Sequence, residues 1–176
     1  MDHFTVDECL NSAVVLVDSR EHLGTKAVNG RLKSIGLPLH REALPFGDYS
    51  IYCTLPNGKK YSLADKVVVE RKMSLNELSQ NLFQNRDRFA REFDRAKQAG
   101  AKVYLIVENG SIDRIYGHTY KTKVHPNAYI ASLLAWLSRY NMTVLFCKPE
   151  NSGKLIHDVL YRELKERLTE MPNGQE

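Results

Sequence analysis

Residues 67–72 read Val-Val-Val-Glu-Arg-Lys. Three β-branched residues in succession are typical of a strand that is buried on both faces of a sheet, and this strand carries its charge at one tip. Side chains two residues apart on a strand project from the same face, so Glu70 and Lys72 are expected side by side. A carboxylate beside an ammonium group suits phosphodiester hydrolysis, in which the carboxylate holds a metal ion and the ammonium orients or deprotonates a water.

Around this strand, apolar runs and helical spacing predict one α/β domain with a central mixed β-sheet flanked by helices. Residues 1–12 are predicted to be a polar N-terminal lead-in, residues 13–170 the domain, and residues 171–176 a polar tail. Strands are predicted at 14–17, 39–44, 48–55, 67–72, 103–107 and 142–146, and helices at 25–35, 75–100, 126–140 and 153–168. Asn57-Gly58 predicts a two-residue hairpin turn, because both residues tolerate positive φ.

Composition excludes several classes of protein. The chain has 176 residues, 43% of them hydrophobic, and a formal net charge of +4, which allows a polyanionic partner without demanding one. No apolar run is long enough to span a bilayer, and the N-terminus lacks the pattern of a secretory signal. The three cysteines are far apart and the six histidines show no ligand spacing with them, so a zinc site is not expected. We therefore expect an intracellular protein of the cytoplasm, nucleoid or nucleus.

Acidic residues cluster at the ends of the predicted strands. Asp18 and Glu21 follow the first strand, and Asp48 opens the third. Any one of them alone is most simply a solvated strand terminus, whereas several carboxylates at one sheet edge would need a shared cation such as Mg²⁺ or Mn²⁺. The pattern Asp48…Glu70-x-Lys72 has the D…ExK form of restriction-type nucleases.

A shared metal requires an irregular hairpin. With a two-residue turn and strict pairing, Asp48 would face Val67, three residues or about 10 Å from Glu70. That distance is too long for one cation. We therefore predict a bulge or loop at residues 63–66, where Asp65 and Lys66 interrupt the strand pattern.

Three motifs in order extend this pattern to a known family. They are Val15-Leu16-Val17-Asp18-Ser19-Arg20-Glu21, Gly47-Asp48-Tyr49 and Val69-Glu70-Arg71-Lys72. Together they resemble the nuclease domain of the XPF family of structure-specific endonucleases, over about residues 14–107 or as far as residue 147. The resemblance implies a restriction-endonuclease-like fold that cuts DNA at junctions between duplex and single strand, with Mg²⁺ or Mn²⁺ as cofactor.

The resemblance also implies roles for individual residues. Asp48 and Glu70 would be metal ligands, and Asp18 a further acidic ligand. Glu21 would support the metal site and Lys72 would position the attacking water. The remaining catalytic candidate is Arg71, which would hold the scissile phosphate or the geometry of the site.

Two features depart from the family pattern. The family has a Gly-Arg pair in the helix after the Glu-Arg-Lys strand, where this chain has Asn85-Arg86, and either Arg86 or Arg88 could take the arginine's role. Arg86 falls on the apolar stripe of the predicted helix, so it needs an anionic partner, unless it reaches out to solvent or the helix breaks there. The residues after Cys147 are too few for the tandem helix-hairpin-helix module of the family, so a partner protein or a homodimer would supply junction selectivity.

Basic residues near these motifs are the candidate DNA contacts: Arg20, Arg86, Arg88, Lys121 and Lys123. The two lysines belong to a segment, residues 116–123, that mixes aromatic and basic side chains. The sequence thus predicts a divalent-metal-dependent DNA endonuclease acting on branched DNA. Two alternatives stay open: a non-catalytic DNA-binding or scaffolding module with a nuclease-like fold, and a resolvase or restriction-like nuclease of another lineage.

Overall fold

The computed structural model describes residues 1–21 and 24–171 and contains, within them, one mixed sheet of seven strands. The strands are β1 (Val14–Asp18), β2 (Leu39–Glu42), β3 (Tyr49–Thr54), β4 (Lys60–Ser62), β5 (Val67–Lys72), β6 (Lys102–Glu108) and β7 (Met142–Cys147). Their order is β2-β1-β3-β5-β6-β7, with β4 paired to β3. β1 is parallel to β2, and β5, β6 and β7 are parallel to one another. β3 is antiparallel to its neighbours, which confirms the predicted mixed sheet.

Helices cover both faces of the sheet. They are α1 (His3–Asn11), α2 (Lys26–Ile35), α3 (Leu75–Phe83), α4 (Arg86–Gln98), α5 (Ile112–Tyr116), α6 (Pro126–Arg139) and α7 (Ser152–Glu170), with a 3₁₀ turn at Pro149–Asn151. One core packs α1, α2 and α7 against one face, and a second core packs α3, α4 and α6 against the other. Alternate residues of each central strand enter the two cores, as the β-branched run of β5 predicts. The described helices include none that is long and apolar enough to cross a membrane.

The first twelve residues differ from the predicted polar lead-in. They contain α1, whose N-cap Asp2 accepts hydrogen bonds from the N–H groups of the first turn. Val6, Cys9 and Leu10 are buried in the core beside α7. These apolar positions recur at three- and four-residue spacing, and so few of them among polar neighbours give only a weak helical signal.

The β3–β4 hairpin has a longer loop than predicted. Thr54 pairs with Lys60, and the N–H of Leu55 donates to the carbonyl of Lys59, so three residues form the loop. Gly58 has φ of +79°, whereas Asn57 does not adopt positive φ. A turn that closes with a single left-handed glycine is the common three-residue hairpin, so the predicted two-residue turn is wrong.

The predicted irregularity at residues 63–66 is confirmed. β4 ends at Ser62 and β5 begins at Val67, and between them the carbonyl of Leu63 accepts from the N–H groups of Lys66 and Val67. Continued β3–β4 pairing would set Tyr49 opposite residue 65, but Tyr49 pairs with Val69. The intervening loop therefore shifts the pairing by four residues and brings residue 70 level with residue 48.

The long helix predicted over residues 75–100 is two helices. α3 ends at Phe83 and α4 begins at Arg86. All six residues of the predicted apolar stripe are nevertheless buried: Leu75, Leu78, Leu82, Phe89, Phe93 and Ala96. Arg86 is exposed in the first turn of α4 rather than placed on the stripe, because the break changes the helical phase at that point. Of the alternatives for Arg86, the broken helix is therefore the one observed.

Candidate active site

A cleft of about 280 Å³ opens where β1 and β5 end and β3 begins, beneath α3 and α4. Its lining is predominantly polar and charged. The residues are Asp18, Arg20, Glu21, Asp48, Glu70, Lys72, Glu77, Asn81, Asn85, Arg88, Phe89 and Glu92. Of the six residues predicted to be catalytic, five thus meet in one cleft.

Asp48 is held at the centre of this cleft by its backbone neighbours. Gly47 has φ of +72°, and a Cβ built on it would lie 2.8 Å from Cβ of Val68, so only glycine fits. The N–H of Gly47 donates to Oε1 of Glu92 at 3.0 Å. The Asp48 carboxylate in turn accepts from the backbone N–H of Arg71 at 2.8 Å. These contacts fix the direction of the Asp48 side chain.

Glu70 and Lys72 project from the same face of β5, as predicted. Nζ of Lys72 donates to Oε1 of Glu70 at 2.6 Å, and both side chains are at least nine-tenths buried. Nζ also lies 4.9 Å from the centroid of the Phe89 ring, which gives the ammonium a cation–π partner. The pair therefore sits at the cleft floor with its position fixed by packing.

The ionised forms of Asp48 and Glu70 depend on nearby cations for their stability. Burial, together with the nearby charge of Glu70, raises the pKa of Asp48 well above its ordinary value. Burial also raises the pKa of Glu70, although Lys72 opposes the shift. Burial alone would lower the pKa of Lys72, but the charges of Glu70 and Asp48 outweigh it and raise that pKa. Lys72 is therefore an ammonium at neutral pH.

The donor chemistry of Asp48 and Glu70 fits a hard divalent cation. Carboxylates that repel each other in a buried site are stabilised when a cation lies between them. Within residues 1–21 and 24–171, no group of three His, Cys, Asp or Glu side chains is arranged to hold a metal. A two-carboxylate site suits Mg²⁺ in particular, because this ion keeps several waters and takes substrate phosphate oxygens as further ligands.

Asp18 lies in the cleft wall with both oxygens already hydrogen-bonded. Its carboxylate accepts from the backbone N–H of Arg20 at 2.7 Å, from the guanidinium of Arg20 at 2.7 and 2.8 Å, and from the N–H of Leu44 at 2.9 Å. Burial opposes ionisation, but the hydrogen bonds from Arg20 and Leu44 outweigh it and lower the pKa of Asp18. The metal-ligand role of Asp18 stays a prediction, and it would require Arg20 to turn away.

Glu21 and Arg71 each bind an oppositely charged side chain behind the cleft. Oε1 of Glu21 accepts from Nη2 of Arg31 at 3.0 Å and from the hydroxyl of Tyr49 at 3.3 Å. The side chain of Arg71 leaves β5 on the face opposite Glu70, and both its Nε and Nη2 donate to Glu108 at 2.8 Å. This arrangement favours the predicted role of Arg71 in site geometry over contact with the phosphate.

The predicted DNA contacts divide into two groups. Arg20 and Arg88 line the cleft, whereas Arg86 does not. Lys121 and Lys123 are exposed on the loop after α5. This loop contacts α3, since the N–H of Lys121 donates to the side chain of Asn76 at 2.6 Å. Of the two arginines considered for the family role, Arg88 is thus the one placed at the site.

Sequence reasoning missed several residues that build the site: Arg31, Tyr49, Glu77, Asn81, Glu92 and Glu108. The sequence does contain a pattern that indicates Glu108 as a site residue. Glu108 ends the buried run of β6 as Glu70 ends the run of β5, and the two strands pair in parallel, so their ends meet at one sheet edge. Tyr49 begins β3, and the other four lie on helices, where their sequence positions give no comparable signal.

The fold and the family are confirmed by comparison with known proteins. In fold the chain is similar to XPF from Aeropyrum pernix, which matches with a TM-score of 0.60 and 22% identity. The match covers 93% of this chain and 64% of that chain, so the present chain corresponds to only part of that protein. Residues 17–159 match the model of the ERCC4 domain, and the chain belongs to the ERCC4 domain family. No curated protein matches. The family and the fold thus agree with the XPF-type domain that the sequence motifs predict.

Proposed function

We propose that the protein is a divalent-metal-dependent endodeoxyribonuclease that hydrolyses phosphodiester bonds at branched DNA or at junctions between duplex and single strand. One observation carries the proposal: the four-residue loop between β4 and β5 sets Asp48 level with Glu70, with the Lys72 ammonium 2.6 Å from the Glu70 carboxylate. Two carboxylates and an ammonium in one cleft are the groups that metal-assisted phosphodiester hydrolysis needs.

Asp48 and Glu70 would hold the metal ion, Mg²⁺ or Mn²⁺. When bound, the ion would supply positive charge to the phosphate oxygens on which negative charge develops. Lys72 would orient the attacking water by hydrogen bonding and would stabilise the developing charge. In the cation-free site the charges of Glu70 and Asp48 raise the pKa of Lys72, so Lys72 is an ammonium there and can donate hydrogen bonds to a water.

Cationic side chains around the cleft would hold the DNA backbone. Arg88 lines the cleft beside Asn85, and Arg20 is 60% exposed at its mouth while bonded to Asp18. A guanidinium binds phosphate in a bidentate manner, which would orient the scissile strand. Lys121 and Lys123 would contact the backbone at a distance from the cut, through charge alone.

The finer parts of the proposal rest on the resemblance to the XPF family. They are the branched substrate, a homodimer or a partner protein that supplies junction selectivity, and a location in the cytoplasm, nucleoid or nucleus. The few, widely spaced cysteines are consistent with such a reducing compartment.

Cleavage of labelled DNA tests the proposed function. Flap, fork, Holliday-junction and plain duplex substrates are incubated with Mg²⁺, with Mn²⁺ or with EDTA. We expect cutting of a branched substrate with metal and none with EDTA. Asp48→Ala and Lys72→Ala should abolish cutting while the far-UV circular dichroism spectrum stays unchanged.

A matched control is Lys102→Ala. Lys102 also has a carboxylate partner, Glu163 at 2.6 Å, but it lies outside the cleft. This variant should cut like the wild type. Equal cutting by the Asp48 and Lys72 variants would refute the site, and failure of the wild type on every substrate would favour the DNA-binding module.

A further inference from the structure

A buried ionic network lies behind the cleft, on the α2 and α7 side of the sheet. Glu108 accepts two hydrogen bonds from Arg71 and one from Nη1 of Arg31 at 3.3 Å. The side chains of Arg31 and Glu108 are 4% and 5% exposed. With Glu21, the network holds two cations and two anions, so it is neutral as a whole.

Both arginines lead from Glu108 to groups of the cleft. Arg31 uses its second terminal nitrogen, Nη2, to hold the carboxylate of Glu21, which lines the cleft. Arg71 is bonded through its side chain to Glu108, and its backbone N–H donates to the carboxylate of Asp48. Glu108 thus reaches two cleft carboxylates without lining the cleft itself.

The network is a costly way to fill this space. Buried ion pairs pay a desolvation penalty that apolar side chains of similar volume avoid. Nε of Arg31, moreover, is buried without a hydrogen-bond acceptor among the described residues. A contribution to stability therefore does not account for this buried network. A role in fixing the directions of Glu21 and of residue 71 does account for it.

We propose that Glu108 is a positioning residue that holds Glu21 in the cleft through Arg31 and holds the Asp48 contact through Arg71. The expected effect of Glu108 on the cleavage rate rests on the proposed function. The contacts themselves are a separate claim.

The test is Glu108→Gln, which keeps the shape of the side chain and removes its charge. We expect the crystal structure of this variant to lose the contact between Arg31 and Glu21. We expect kcat for a labelled flap DNA to fall about 10- to 100-fold, the usual effect of losing a group that orients a metal site, with KM within about twofold of the wild type.

Glu163→Gln is the matched control. Glu163 is also a partly buried ion-pair glutamate, bonded to Lys102 and Tyr104 on the same side of the sheet. In the part of the chain that the structure describes, Glu163 makes no hydrogen bond or ion pair with a cleft residue. Its kcat and KM should stay within about twofold of the wild type. A merely structural role of Glu108 would make the two variants alike.

A second variant covers poor folding of Glu108→Gln. In Arg31→Lys one ammonium replaces the two terminal nitrogens that bridge Glu108 and Glu21, so the same fall in kcat at constant KM is expected. An unchanged kcat, or an intact Arg31–Glu21 contact after Glu108→Gln, would overturn the proposal. If the wild type cuts no DNA, the proposed function fails, and the crystal structure alone decides the positioning role.

Discussion

At the residue scale, alanine substitutions at Gly47 and Gly58 distinguish the effect of steric crowding from that of backbone strain. Both have positive φ, but a Cβ on Gly47 would meet Val68, whereas a Cβ on Gly58 would have no atom of residues 1–21 or 24–171 within 4 Å. Gly47→Ala should displace the adjacent Asp48 and lower the cleavage rate about a hundredfold, the effect of a displacement of about 1 Å in a catalytic site. Gly58→Ala should lose about 1–2 kcal/mol of stability and keep its cleavage rate. Equal rates in the two variants would contradict the assigned position of Asp48.

Asp48 also makes stability depend on pH with a definite sign. Its pKa is raised in the folded state, so the folded protein binds more protons than the unfolded chain between the ordinary carboxyl range and the raised value. Stability therefore falls as pH rises through that window. Asp48→Asn removes the charge but keeps an oxygen for the Arg71 N–H, so it should raise the Tm at pH 8 in EDTA by about 2–4 °C.

This gain should vanish below about pH 4, where the wild-type carboxyl is protonated in both states. Thermal melts followed by circular dichroism across pH measure it. The exposed Asp65→Asn is the control and should leave the Tm unchanged at every pH. A lower Tm for Asp48→Asn at pH 8 would show that the carboxylate is not repelled in the cation-free site.

The local pattern was sufficient to predict part of the site. Strand alternation placed Glu70 and Lys72 together, and the requirement for a shared cation located the loop at residues 63–66. The same alternation sends Arg71 to the other face. Its partner Glu108 and the second arginine, Arg31, are 77 residues apart in sequence, and no periodicity connects a helix to a strand end so far away.

At the element scale, the contact between α2 and α7 depends on Gly153. A Cβ on this residue would overlap the hydroxyl of Ser34 and the carbonyl of Arg31, and neither helix can yield at a backbone atom. Gly153→Ala should therefore destabilise the protein by about 2 kcal/mol, as overpacking does. Urea unfolding measures the change.

Gly30→Ala is the matched control in the neighbouring helix. Among the described residues, no atom lies within 4 Å of a Cβ built on Gly30, and this residue is exposed in the middle of α2. Alanine there should stabilise the protein by about 0.5–1 kcal/mol, since it restricts the unfolded chain. Equal effects of the two substitutions would show that α2 and α7 are not in close contact at Gly153.

Elements were predictable where apolar spacing was regular and less so where tertiary packing intervened. The strands β1, β5, β6 and β7 follow from apolar runs, and α2, α6 and α7 from helical spacing. The break between α3 and α4 has no local signal, because neither glycine nor proline lies between Leu75 and Ala99. The break sets Asn85 and Arg88 at the cleft, which is a property of the packed molecule.

At the scale of the whole molecule, α1 contributes to the core, and residue 1 lies next to residue 171. The amino group of Met1 donates to the carbonyl of Met171 at 2.6 Å, and Leu10 is 4% exposed beside α7. Leu10→Ala should cost about 2–4 kcal/mol in free energy of unfolding, the range for cavities in protein cores.

Phe4→Ala is the control in the same helix. Phe4 is 87% exposed, so its truncation should change the free energy of unfolding by less than about 0.5 kcal/mol. Chemical denaturation of both variants measures the difference. If Leu10→Ala were equally harmless, residues 1–12 would be the polar lead-in that their composition suggests.

The central claim is that Asp48 and Glu70 bind one divalent cation between them. Calorimetric titration of Mn²⁺ into DNA-free protein tests it most directly, with Asp48→Asn, Glu70→Gln and the control Glu163→Gln. We expect the first two variants to bind Mn²⁺ at least about tenfold more weakly than the wild type, because each loses one of two carboxylate ligands. The control should bind like the wild type. Unchanged Mn²⁺ affinity in both cleft variants would contradict the claim.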